Sequence, residues 1–221
     1  MKIFFSLLLT LCMATPALAQ GKIRLVNDSL HLVYFNPDPA FLLNGDAALA
    51  GQAYTLGDTS QTLRIELWAG TSSTSLSLVA TTDFAGQAGA VGTWAGMNVT
   101  LPTGYPGGAA TFFTIDIYDA AAGSWQVATT TSGHYNGTSG LFVAVSSSTI
   151  AYNSLVNHNS PASSTWANGT WNLDSLSPGF RGAIMLSVVG PEPSTLALGC
   201  LGFALLLARR RFQNNKDSRV R

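Results

Sequence analysis

Cysteine is all but missing from this chain. Two occur in 221 residues, Cys12 and Cys200, and each sits in an apolar stretch near one end. The long segment between them has no thiol chemistry and no disulfide, so a packed core must stabilise it, which roughly 170 residues can supply. Positive charge is equally scarce there. Between residues 20 and 193 the basic side chains are Lys22, Arg24, Arg64 and Arg181 against ten acidic ones, a net charge of minus six that a basic tail hides in the neutral total. So few cations give no footprint for a phosphate backbone, which excludes nucleic acid as a partner. Glu66 is the sole glutamate before Glu192, so a glycosidase-type carboxylate pair has no obvious members. No G-x-S-x-G is present for a serine nucleophile. His31, His134 and His158 are far apart, and none is spaced with another His or a Cys as metal ligands are. No catalytic residue, metal or cofactor is nominated, and the chain reads as a non-enzyme.

What is present first shows at the two ends. Lys2 precedes an apolar run from Ile3 to Met13, and Ala17-Leu18-Ala19 follows. A positive start, a short apolar stretch and a small-x-small triplet make residues 1–19 a signal peptide, with cleavage expected after Ala19. Cys12 raises a lipoprotein alternative, but Leu11 stands where a small residue is wanted. Near the other end, residues 196–208 read LALGCLGFALLLA without a charge. Thirteen residues at about 1.5 Å each span roughly 20 Å, short of a hydrocarbon core of roughly 30 Å. Arg209, Arg210 and Arg211 follow at once, and arginines on one flank alone are the mark of a cytoplasmic end, able to snorkel to headgroups. Upstream, Pro191 and Pro193 stop helix propagation, and Ser194-Thr195 offers a hydroxyl cap from which a helix can start. The expected order is a motif at 190–193, a short single transmembrane helix at 194–208 and a basic tail at 209–221.

Gly190-Pro191-Glu192-Pro193-Ser194-Thr195, the short apolar helix and the arginine cluster together resemble the PEP-CTERM sorting signal of bacterial envelope proteins. The resemblance covers about the last thirty residues, although the ten residues after Arg211 make a longer tail than such signals usually carry. It implies an exosortase-type membrane processing enzyme as partner, an inner membrane-anchored precursor, and delivery to the cell surface or an extracellular polysaccharide matrix. The chemistry at Pro191, Glu192 and Pro193 would belong to that enzyme, with this chain as its substrate.

Residues 20–189 are rich in Gly, Ser, Thr and Ala and hold no helical period for long. Strand alternation recurs instead. Leu63, Ile65 and Leu67 fall on one face against Arg64, Glu66 and Trp68; Phe113, Ile115 and Ile117 oppose Phe112, Thr114, Asp116 and Tyr118. Strands are also expected at 22–27, 30–35, 76–80, 97–101, 125–129, 141–145 and 182–189. The first two flank Asn27-Asp28-Ser29, read as a hairpin turn. About nine short strands with Gly- and Pro-rich turns predict an antiparallel β-sandwich. A short helix is expected around 46–50 and a long polar loop over 152–181. The runs Ala50-Gly51-Gln52-Ala53-Tyr54, Ile65-Glu66-Leu67-Trp68-Ala69-Gly70, Gly108-Ala109-Ala110-Thr111 and Ile115-Asp116-Ile117-Tyr118-Asp119 resemble uncharacterised extracellular domains often carried by PEP-CTERM proteins. That resemblance implies a setting and no chemistry.

Two further constellations bear weighing. Trp68 lies on the polar face of its strand, and Trp166 and Trp171 flank a polar loop, so these three are the candidates for stacking on sugar rings. Core packing is the commoner role for such residues. Asp116 and Asp119, with Gly123 beyond, faintly suggest a calcium loop, but a turn-capping Asp119 is the simpler reading. The alternatives to a sorted, non-enzymatic surface protein are therefore a carbohydrate-binding β-sandwich module, a weakly recognisable hydrolase, and a simple membrane-anchored protein that is never cut.

Overall fold

The computed structural model describes residues 19–28, 31–87, 90–156 and 184–190. The signal segment up to residue 18, the Pro191-Glu192-Pro193 motif, the apolar stretch 194–208, Arg209 to Arg211, Trp166 and Trp171 lie outside the described residues. Among those described, no helix is long and apolar enough to cross a membrane.

In chain order the strands are β1 (Lys22–Leu25), β2 (Val33–Phe35), β3 (Leu63–Ser72), β4 (Ser75–Asp83), β5 (Gly86–Gln87), β6 (Ala90–Trp94), β7 (Met97–Thr100) and β8 (Ala110–Asp119). One α-helix, α1 (Trp125–Thr130), precedes β9 (Tyr135–Thr138), β10 (Phe142–Val145), β11 (Asn153–Ser154) and β12 (Ile184–Val188). The large sheet runs β2-β12-β9-β8-β3-β4, with β10 also on β8; a second runs β11-β1-β7, and β5 and β6 pair antiparallel. Both larger sheets feed one buried apolar cluster, Ile23, Leu25 and Val99 from the small one meeting Ile65, Leu67, Ile115, Ile117 and Leu186 from the large one. Each fully buried aliphatic side chain contributes about 1.5–3 kcal/mol to that core. Phe35, Tyr54, Phe84 and Trp94 extend it as a chain of tilted and edge-to-face rings with centroids 4.8–6.2 Å apart.

The architecture is mainly β, as the alternation predicts, but the sheets are mixed where antiparallel pairing alone is expected. β12 pairs parallel to β2, and β1 pairs parallel to β11. The expected hairpin between β1 and β2 does not form, because the two strands belong to different sheets. Asn27 explains the departure. Its carboxamide donates to the carbonyls of His31 and Gly92 and accepts from the Trp94 amide, at 2.8–2.9 Å. It ties the connection to β6, where a turn residue would close it on itself. The strand expected at 125–129 is a helix: the Ser124 hydroxyl caps the Val127 amide, and the Thr129 and Thr130 hydroxyls bond back to the Trp125 and Gln126 carbonyls. The helix expected near 46–50 is present as a short 3-10 turn at Ala47–Leu49.

β9 and β10 lie along successive halves of β8 with a break at 139–141. Ser139 repairs the ladder across it. Its amide donates to the Ile115 carbonyl at 2.8 Å, and its hydroxyl accepts from the Ile115 amide at 2.9 Å. Gly140 takes a positive φ of 67° at the kink, a conformation glycine adopts without a Cβ penalty.

Candidate functional site

The chemistry-bearing side chains of β3 and β8 fall on the sheet face turned away from the core. β3 sends Leu63, Ile65, Leu67 and Ala69 inward, leaving Arg64, Glu66 and Trp68 opposite. β8 does the same with Phe113, Ile115 and Ile117, leaving Thr114, Asp116 and Tyr118. Register then builds three rungs. Leu78, Trp68 and Thr114 form the first; Thr81, Glu66, Asp116 and Thr138 the second; Asp83, Arg64, Tyr118 and Asn136 the third.

The middle rung sets two carboxyl groups side by side on adjacent strands. Glu66 is 9% exposed and Asp116 is 7% exposed. Tyr118 donates its hydroxyl to Glu66 Oε1 at 2.7 Å, and Arg64 Nε reaches Asp83 Oδ1 at 3.0 Å on the outer side. Burial pushes the Asp116 carboxyl up to about 6, with the neighbouring Glu66 charge adding to the rise and the Thr138 hydrogen bond opposing it. Burial also raises the Tyr118 phenol to about 12, reinforced by its bond to Glu66 and offset in part by Arg64. The Trp125 ring of α1 stands edge-on to Tyr118, with centroids 6.4 Å apart. The layer can therefore hold a proton on the buried Asp116 carboxyl near pH 6.

The residues singled out in the sequence are placed as follows. Trp68 is partly exposed on the first rung beside Leu78, which is 45% exposed; its Nε1 is buried with no hydrogen-bond partner among the described residues. Asp116 and Asp119 point to opposite faces of β8 and do not converge. Asp119 caps the Ala121 amide at 3.1 Å and takes the His134 Nδ1 contact at 2.6 Å. His31 lies just ahead of β2, fully buried, with Nδ1 2.6 Å from Asp28. Among the described residues no three His, Cys, Asp or Glu side chains gather as a metal site. Ala19 is exposed, and its carbonyl accepts from the Gly107 amide at 2.8 Å, so the expected signal cut falls at the rim of the small sheet.

The Glu66–Asp116 rung is not singled out by the sequence. Both residues stand on the polar phase of their strands, so alternation places each on this face; which rung they share depends on the β3–β8 register, which alternation leaves free.

Comparison with known proteins bears on the other end of the chain. A family model described as the PEP-CTERM protein-sorting motif matches residues 191–211, from Pro191 to Arg211. No curated protein and no solved structure matches the chain.

Proposed function

We propose that this chain, which carries a PEP-CTERM sorting motif, is an exported, non-catalytic surface or matrix protein whose folded part is residues 20–189. The motif supports sorting through an exosortase-type processing enzyme. The observation that carries the reading is the extent of the match: it takes in Pro191, Glu192 and Pro193, the apolar stretch, and Arg209 to Arg211, where it ends. In this reading 194–208 is a short membrane helix held by the arginines on the cytoplasmic side, and it is discarded with the tail. The folded part is then a β-sandwich, supported by the single apolar cluster that its two larger sheets share. Export fits a segment that needs no disulfide and bears few cations. A non-catalytic role fits the enclosure of Glu66 and Asp116.

The test is substitution of the motif. Changing Pro191, Glu192 and Pro193 together to alanine is expected to leave the uncut chain in the membrane fraction of its host, while the natural sequence reaches the surface or the medium. Equal release of both would sink the reading, and retention of both in the membrane fraction would favour a simple anchored protein that is never cut.

A further inference from the structure

β4 is the last strand of the large sheet, and among the described residues β3 is the one element it packs against extensively. The opposite edge is different. β2 has three residues, and the 52–54 segment covers it, with Phe35 donating to Gln52 at 2.9 Å and Tyr54 to Val33 at 2.8 Å. Sheet edges are normally guarded by charge, proline, shortness or a bulge, and β4 has the last of these at Val79. β4 has nine residues, and from Ser75 to Thr82 it reads SLSLVATT, with neither charge nor proline. Its one charge, Asp83, is paired with Arg64.

The irregularity in β4 decides what fits against it. Leu67 pairs with Ala80 and Trp68 with Leu78, so Val79 is an extra residue. Val79 and Ala80 both pack toward the core, and the phase of the strand shifts there. Leu76, Leu78, Thr81 and Asp83 consequently share the outer face, while Ser77 and Thr82 share the inner one. Two identical strands running antiparallel can match face to face along their whole length only if the symmetry axis falls between Val79 and Ala80. Leu78 then meets Thr81, Ser77 meets Thr82, Leu76 meets Asp83, and Val79 meets Ala80. The two Asp83 carboxylates stand seven residues apart, roughly 24 Å along the ladder. In a domain of net charge minus six, this register opposes no like charges across the edge.

We propose that β4 joins two copies of this chain, antiparallel and two-fold symmetric between Val79 and Ala80, into one continuous sheet. Backbone hydrogen bonds supply the attachment, and the shifted phase sets the register. The proposal does not depend on how the C-terminus is processed.

The experiment uses the full chain with Cys12→Ala and Cys200→Ser, expressed in its host as two differently tagged copies. One carries Leu78→Cys and the other Thr81→Cys, both at exposed positions. Opposed residues in such a ladder lie about 4.5–5.5 Å apart by Cα, within disulfide reach. Two copies of either variant alone place their thiols three residues out of step, beyond that reach. After mild oxidation, disulfide-linked dimer is expected several-fold more between the mixed copies than within either variant alone. Equal yields in all three arms, or no dimer in any, would overturn the proposal; the latter is the outcome if another segment of the chain covers the edge.

Discussion

Asp116 shows how one buried side chain can set a pH dependence. Its carboxyl rises from an ordinary 3.8 to about 6 in the folded chain, chiefly through burial. Between those values the folded chain keeps a proton that the unfolded chain releases. The stabilisation is therefore fully present below the unfolded value and is lost as pH rises through about 6. A shift of that size corresponds to about 3 kcal/mol. Asp116→Asn keeps the neutral shape, so it is expected to flatten the slope of urea-unfolding stability between pH 4 and 7 and to be the more stable form at pH 7. An unchanged slope would remove Asp116 from the account. Gly137 makes a steric argument of the same kind. A Cβ there would come within 2.5 Å of the Met185 carbonyl and 3.0 Å of Ile184, because β12 runs close beside β9. Gly137→Ala is expected to lower stability by about 1–3 kcal/mol, read as a shift in the unfolding midpoint.

At the scale of elements, hydroxyl groups decide where strands end. Ser139 bridges the gap between β9 and β10, and Ser139→Ala would leave the buried Ile115 amide without its partner. A loss of about 1–3 kcal/mol is expected, with amide exchange at Ile115 accelerating more than at the centre of β3. Ser124→Ala should cost about 0.5–2 kcal/mol by uncapping α1 while leaving the sheets intact by circular dichroism. These devices also mark the limit of what alternation can reveal. β3 and β8 are legible because apolar and polar residues alternate over 63–68 and 113–116, and β12 because its apolar phase is regular. α1 is not, since Trp125-Gln126-Val127-Ala128-Thr129 also alternates and only the Ser124 cap tips it to helix. β9 escapes notice because Tyr135-Asn136-Gly137-Thr138 reads as turn chemistry, and a neighbouring backbone is what holds that glycine in a strand. The Asn27 turn fails for a related reason: besides the local His31 carbonyl, its carboxamide binds Gly92 and Trp94 of β6, 65 and 67 residues away. Partners so distant in sequence leave no local trace.

At the scale of the whole molecule, charge is unevenly distributed, and that distribution carries the functional account. Acidic residues dominate from 20 to 193, and basic ones dominate after 208. That asymmetry is legible in the sequence alone, and so is the motif, because targeting is encoded in short contiguous segments and needs no tertiary partner. The folded part is legible as β but silent on role, since its most distinctive polar layer exists only once β3, β8 and β9 are in register. The sugar-stacking candidates divide along the same line: Trp68 is partly exposed beside Leu78, while Trp166 and Trp171 fall outside the described residues. If Trp68 is a sugar platform, Trp68→Ala should weaken retention of the protein on its host's own exopolysaccharide several-fold at temperatures where the variant is fully folded. Equal retention would leave Trp68 a packing residue.

The most direct test of sorting is the intact mass of the protein taken from its native host, with and without the exosortase-type enzyme. The account predicts a chain that starts at Gln20 and ends at or near Pro193 when the enzyme is present, and one that still carries Arg221 when it is absent. Arg221 retained in both strains would contradict it.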